Sequence, residues 1–406
     1  MGERVNETYV GPNSLNVGIV TPFLTPMAGG SATSVLILAR SLQTRGHSVT
    51  VFTSDYHREE SKFEDEGDLT IVESRCLANL SGLLYAPELK KELKKGAQTI
   101  EVFDFANFRT YQNIVAESFA RQHGIPYVLR AHGSLPRLGK SVPKWIFDMT
   151  YGNRILDNSS SMVAVTQAEA NQYETFGVEP RKISVIPNGV ELNKFSNLPT
   201  RGEFTSKFKI SQNTRIVLFL GRIHRIKGID TLLKSYYRLT KDKSDNDSLL
   251  VIAGPDDGYL RDAQLLVRRL GIRDKVLFCG LLNFKEKLAA IVDSAVVVLP
   301  SYYETFPNVV LEAYACSRPV IASRVQGMEE IVIDGQTGIL FLASNVEQLT
   351  EGISSVLRDV EGANAMGRHA RELVEREYDQ NKLILRTEAI YEEIAGASRS
   401  NPPNAH

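Results

Sequence analysis

The sequence predicts an α/β protein of two doubly wound domains facing each other across a cleft. Three observations carry this expectation. Short β-branched runs alternate with amphipathic stretches along nearly the whole chain, the pattern of parallel sheets covered by helices. The 406 residues exceed one ordinary core, so two domains of roughly 200 residues are expected. The alternation pauses at 196–212 in a polar stretch, read as the linker, and a second series begins beyond it.

The first series opens with a strand at Asn16–Val20 and a loop holding Pro22, Pro26, Gly29 and Gly30. Ser31–Arg45 repeats apolar residues at helical spacing, and Gly46 stands where a helix cap is expected. Ser48–Thr53 is the next strand, which closes one right-handed βαβ unit. The acidic run Glu59–Asp68 is expected to be exposed. Strands follow near Thr70–Glu73 and Ile100–Phe105, then at Tyr127–Arg130, Met162–Thr166 and Lys182–Ile186. Helices between them are expected near Pro87–Lys95, Thr110–Gln122, Pro143–Asp157 and Ala168–Phe176. His132-Gly133-Ser134 stands at the carboxyl end of the Tyr127–Arg130 strand.

The second series reads as strands at Arg215–Leu220, Leu249–Ala253 and Lys275–Cys279, with helices at Ile229–Leu239, Tyr259–Leu270 and Lys285–Val292. It leads to the most informative stretch, Ala295–Ala322 (AVVVLPSYYETFPNVVLEAYACSRPVIA). A strand ends at Pro300, a loop follows, and Pro307 is expected as the first helical residue, where a missing N–H costs nothing. Glu304 lies in the loop and Glu312 on the helix, with seven residues between them. The N–H groups of the first helical turn would then form an anion site between two acids. Amphipathic helices at Asn345–Arg358, Gly362–Glu375 and Asn381–Ala395 end the chain. The expected domains are 1–199 and 200–378, with a helix at 379–396 returning to the first domain and a disordered tail at 397–406.

Composition narrows the function classes. A formal charge of -1 gives no reason to expect nucleic acid as a partner. Cys76, Cys279 and Cys316 are odd in number and widely spaced, without a metal-ligand pattern, which favours a reduced, cytoplasmic compartment. Met1–Asn16 is polar and acidic, unlike a secretory signal, and no apolar run approaches the length of a membrane span. Neither glycine loop has the spaced G-x-G-x-x-G fingerprint, so a nicotinamide-dependent oxidoreductase is disfavoured.

Leu218–Gly228 reads LFLGRIHRIKG, so a buried strand delivers Gly221, then Arg222, then Lys227. An arginine fork and a lysine point charge at a strand end could hold a diphosphate. With Gly29-Gly30, GHSVTVFT, His132-Gly133, IPNGVELNKF at Ile186–Phe195, AGPDDGY at Ala253–Tyr259, ETFPNVVLEA at Glu304–Ala313 and RPVIAS at Arg318–Ser323, this sequence resembles glycosyltransferase family four. The resemblance runs from Val17 to about Glu393. It implies the GT-B fold, two Rossmann-like domains, and retaining transfer of a hexosyl unit from a nucleotide sugar. Pro307 and Ser317 stand where many members carry glycine, and neither change removes a charged group.

The resemblance assigns Arg222 and Lys227 to the donor's diphosphate, so no metal or other cofactor is expected. Glu304 is expected to bind the transferred sugar and Glu312 the ribose. His132 would touch the sugar, while Gly29 and Gly30 let the backbone approach the phosphate. Gly221, Thr305, Phe306, Pro307, Asn308 and Val309 complete the expected donor contacts. The acceptor is expected to be a glycan or lipid-linked glycan of cell-surface polysaccharide or glycolipid synthesis, bound by the N-terminal domain. Lys90, Lys91, Lys94 and Lys95, with Lys140, Lys144 and Trp145 in Leu138–Ile146, suggest peripheral contact with the cytoplasmic membrane face. A non-catalytic nucleotide-sugar-binding subunit and a nucleotide-sugar epimerase of the same fold are the alternatives.

Overall fold

The computed structural model describes residues 14–58, 62–64, 66–80, 82–137, 141–241 and 247–400. The chain divides into two compact units, one running to Asn188 and resuming at Gln380, the other spanning Gly189–Asp379.

The N-terminal unit holds β1 (Asn16–Val20), β2 (Ser48–Ser54), β3 (Thr70–Ser74), a hairpin of β4 (Ala78–Leu80) and β5 (Leu83–Tyr85), then β6 (Val102–Ala106), β7 (Tyr127–Arg130), β8 (Ser161–Ala164) and β9 (Ile183–Val185). Apart from the hairpin these form one parallel sheet of order β3-β2-β1-β6-β7-β8-β9. The central strands β6 and β7 are buried along their whole length, because helices cover both faces and leave no face for water. Phe52, Phe103, Phe105, Phe119 and Tyr127 fill one side of this core.

The C-terminal unit holds β10 (Arg215–Leu220), β11 (Ser248–Ala253), β12 (Val276–Gly280), β13 (Ser294–Leu299), β14 (Val320–Ser323) and β15 (Gly338–Phe341). They pair in parallel in the order β12-β11-β10-β13-β14-β15.

Several expectations need correction. The stretch read as a linker contains the helix Glu203–Lys207, because Asp293 accepts from the N–H groups of Gly202 at 2.6 Å and Thr205 at 3.0 Å while Phe204 is buried. The division between units falls at Asn188/Gly189, ahead of residue 199. Val190 donates to the Tyr378 carbonyl at 2.9 Å, and Phe195 packs edge-on against Phe284, which ties this stretch to the C-terminal unit. The single helix expected at Pro143–Asp157 is instead Ser141–Phe147, a π-turn at Asp148–Gly152 and a further helix at Asn153–Asp157. The π-turn holds Asp148 buried, where it pairs with Arg109 at 2.7 and 2.9 Å and with Arg137 at 2.8 Å.

Of the acidic run, residues 59–61 and 65 lie outside the described residues. Glu66 is not a loose surface acid: the buried Arg58 holds it at 2.9 and 3.0 Å, together with Glu73 at 2.8 Å. Residues 401–406 of the tail also lie outside the described residues. Ala397–Ser400, however, is the last turn of a helix, with Ser398 bonded to the Gly124 carbonyl at 3.1 Å.

That helix, Gln380–Ser400, completes the N-terminal core. Its Tyr391 hydroxyl donates to Asp104 at 2.5 Å, and Arg130 bridges Asp104 at 2.7 Å and Thr387 at 3.1 Å. Asp104, Arg130 and Tyr391 are all buried, so the pair has no water to fall back on. Removing one partner of a buried pair costs about 3–5 kcal/mol. Asp104→Asn is therefore expected to lower stability by about that amount, read as a reduced midpoint in urea unfolding; an unchanged midpoint would contradict this account of the latch.

Candidate active site

Open α/β sheets bind ligands at the carboxyl ends of their strands, where the strand order reverses. In the C-terminal unit the reversal lies between β10 and β13, which are neighbours in the sheet. The loops leaving these two strands carry most of the residues singled out in the sequence.

After β10 the chain turns at Gly221 (φ 151°), passes Arg222, and makes a short 3-10 turn at Arg225–Lys227. His224 caps that turn, its Nδ1 accepting from the Ile226 N–H at 3.1 Å. Gly228 follows at φ 65°, and a Cβ there would stand 2.0 Å from the Pro300 carbonyl oxygen. Only glycine allows the β10 loop to lie directly on the β13 loop. The Tyr302 N–H donates to the Ile226 carbonyl at 2.8 Å, and its hydroxyl to Asp230 at 2.6 Å, so the two loops are bonded as well as touching. On the other flank, Gly327 donates to the Glu304 carbonyl at 3.1 Å, and a Cβ on it would meet the Thr305 carbonyl oxygen at 2.1 Å.

This frame brings Lys227 and Glu304 into an ion pair, with each side chain less than one-fifth exposed. Arg222 pairs at 2.5 Å with Asp257, both more open to solvent. Thr305 reaches the Tyr303 hydroxyl at 3.2 Å, and Phe306 is buried near Tyr378. The expectation for Pro307 is off by one residue. Pro307 is extended and caps the helix Asn308–Ala315, its carbonyl accepting from Val310 at 2.9 Å. Val310's N–H is therefore committed within the turn; Asn308 and Val309 open the helix and are half-buried. Glu312 is buried on that helix, with Oε1 at 2.5 Å from the Lys287 ammonium.

Lys287 is the residue that sequence reasoning missed. It lies on the helix Phe284–Asp293, which Asn283 and Glu286 close with a reciprocal capping box. No spacing in the chain links Lys287 to Glu312, so only the fold brings them together.

In the N-terminal unit the reversal lies between β1 and β6. Gly29 (φ 78°) ends a 3-10 turn after β1 and caps the helix Gly30–Thr44, whose first residue is Gly30. His132 follows β7 in the left-handed region at φ 47°. Its turn is pinned by Glu169, which accepts from Gly133 at 2.6 Å and Val165 at 2.8 Å, and by the Tyr173 hydroxyl, which accepts from the Ala131 N–H at 2.9 Å. Burial, and then the Arg130 guanidinium, push the His132 imidazole down to about 3, although part of the residue remains open to solvent. The ring is thus neutral at physiological pH.

A family model described as Glycosyl transferases group 1 matches residues 200–373, and one described as Glycosyltransferase Family 4 matches residues 28–194. An uncharacterised glycosyltransferase of Methanocaldococcus jannaschii is 28% identical over 90% of this chain and 94% of its own. A D-inositol 3-phosphate glycosyltransferase of Paenarthrobacter aurescens is 31% identical over 60% of each chain. For some curated relatives the chain spans less than two thirds of their length. HepE of Anabaena, solved with UDP and glucose, matches with a TM-score of 0.79 at 17% identity, covering 93% of this chain and all of that one. This last likeness is one of fold.

The depressed His132 value has a stability consequence. An unfolded histidine takes up its proton near 6.5, whereas the folded one does so only near 3. The contribution of the neutral ring is complete above about pH 6.5 and is lost as pH falls toward 3. Urea midpoints between pH 7 and 4 are expected to fall less steeply for His132→Asn, which tolerates the left-handed backbone, than for the parent chain. Parallel slopes would contradict the assignment.

Proposed function

Since this chain belongs to the family-four, group 1 glycosyltransferases and has their GT-B fold, we propose that it moves a hexosyl unit from a UDP- or GDP-sugar to a glycan or lipid-linked acceptor, with retention at the anomeric carbon. The observation that carries the reading is the charged set at the β10/β13 reversal: Arg222, Lys227 and Glu304 on the loops of two neighbouring strands. HepE, of the same fold, has been solved with UDP and with UDP-glucose, which supports a nucleotide-sugar donor here.

In this proposal the anomeric C–O bond to the diphosphate breaks as a bond to the acceptor oxygen forms on the same face. The acceptor's proton passes to the departing phosphate. Negative charge grows on the leaving group, and fixed cations stabilise it best when they are already in place. Arg222 and Lys227 serve that role and make a divalent metal unnecessary. Donor binding draws Lys227 from Glu304 to the diphosphate and frees the carboxylate for sugar hydroxyls. Glu312 takes the ribose, and Gly221 and Thr305–Val309 line the phosphates. In the N-terminal unit, considered by itself, Gly29 and Gly30 leave the backbone open to close approach, and neutral His132 offers a hydrogen bond without adding positive charge, features that suit a phosphate and a sugar. The reaction is placed in cell-surface polysaccharide or glycolipid synthesis on the cytoplasmic side.

The acceptor side has its own support. Val142, Trp145, Ile146 and Met149 recur at helical spacing and are each more than half exposed. They follow β7, and the helix Leu89–Gly96 presents Lys90, Lys91, Lys94 and Lys95 to solvent. Lys140 lies outside the described residues. Among the described residues no helix is long and apolar enough to cross a membrane. An interfacial contact with an anionic bilayer suits this combination of groups.

Two measurements test these readings. Glu304→Ala and Lys227→Ala should each lower kcat/KM by about 10²–10³-fold, with EDTA present and harmless. Their melting temperatures should change little, since a partly exposed ion pair contributes only about 0–1 kcal/mol. Near-normal turnover in either variant would remove it from the site. The chain is also expected to sediment with phosphatidylglycerol vesicles at low salt, but not with phosphatidylcholine vesicles, and Trp145→Ser should weaken that binding. Equal recovery with both lipids would exclude the charge-directed contact.

A further inference from the structure

Glu312 is in an unusual state for a carboxylate. The residue is 8% exposed, Oε1 takes the Lys287 ammonium at 2.5 Å, and Oε2 is buried with no partner among the described residues. A buried anionic oxygen left unpaired is costly, and folded proteins keep few of them except where a ligand supplies the missing donor. Lys287 is itself held: it leaves the first turns of the capped helix Phe284–Asp293, its side chain is three-quarters covered, and its nitrogen lies 5.2 Å from the centre of the Phe284 ring. The lysine is thus restrained by an aromatic face on one side and a carboxylate on the other.

We propose that Lys287 is a positioning residue for donor binding: it clamps one oxygen of Glu312 so that the other is presented, unpaired, to the vicinal hydroxyls of the donor's ribose. This rests on the assignment of Glu312 to the ribose made above. Lys287 touches no reacting atom in this scheme; it acts by fixing its partner's orientation. A hydroxyl donating to Oε2 then restores the missing hydrogen bond, so selectivity arises from an acceptor that is strongly unsatisfied in the empty site. Without the clamp the carboxylate can rotate, which removes the aimed acceptor.

The test compares, by calorimetry, whichever of UDP, GDP and ADP binds with its 2′,3′-dideoxy counterpart, for the parent chain, Lys287→Met and Lys287→Arg. The parent should prefer the ribonucleotide by roughly tenfold or more. Lys287→Met should lose most of that preference while its affinity for the dideoxy compound stays close to the parent's, and Lys287→Arg should regain much of it. A purely structural lysine would instead lower the melting temperature and weaken both nucleotides alike, which would overturn the proposal. If the parent itself shows no ribose preference, the assignment of Glu312 to the ribose fails, and the role of Lys287 with it. If the parent discriminates and Lys287→Met does so equally, only the role of Lys287 fails.

Discussion

The organisation of the C-terminal unit depends on backbone lying on backbone. Gly228 sits against the Pro300 carbonyl and Gly327 against the Thr305 carbonyl, at distances no side chain could share. Through these two contacts the loop after β13 is tied to the loop after β10 on one side and to the turn after β14 on the other, the first junction reinforced by the Tyr302–Ile226 hydrogen bond. The charged residues they carry are therefore positioned by the main chain before any ligand arrives. Preorganisation of this kind matters for a reaction whose barrier is largely electrostatic, because mobile dipoles would have to be reorganised at the moment of charge separation.

The ion pairs of the two units differ in a way that separates scaffold from site. Asp104–Arg130 and Arg109–Asp148 are closed in by protein and hold elements together. Breaking them leaves a charge with no solvent to receive it. Lys227–Glu304 and Arg222–Asp257 lie nearer the surface, and Lys227 and Arg222 can exchange partners at small cost. Exchange is what the proposed diphosphate donor would require. Lys287–Glu312 falls between these cases, with a buried carboxylate and a lysine that reaches it from the rim.

Much of this was readable from residue order. Continuous apolar runs such as Val296–Leu299 and Val217–Leu220 are long enough only for buried parallel strands, and the alternation with helices follows. Glu304, Arg222 and Lys227 stand on the loops after β10 and β13 and Glu312 on the helix that follows, the strand-end and helix-start positions at which the sequence singled them out; their roles belong to the proposal. The failures share one cause, a tertiary partner invisible in local sequence. Glu203–Lys207 looks polar and unstructured until Asp293 caps it from ninety residues away. The π-turn at Asp148 exists because Arg109 and Arg137 meet there. The β4–β5 hairpin is too short to show alternation. Lys287 is one of two lysines on a helix whose exposed side looked ordinary.

The closing helix has a bearing on how the protein is made. Gln380–Ser400 is the last described segment of the chain, yet it supplies Tyr391, Ile384 and Leu383 to the first unit's core. On the ribosome, the strands of that unit emerge long before the helix that covers them. The second unit is a continuous stretch and can fold as soon as it clears the exit tunnel, whereas the first must wait, incompletely packed, until Gln380–Ser400 has been made. A nascent chain stalled before this helix emerges therefore carries one finished unit and one that is still exposed to chaperones and proteases.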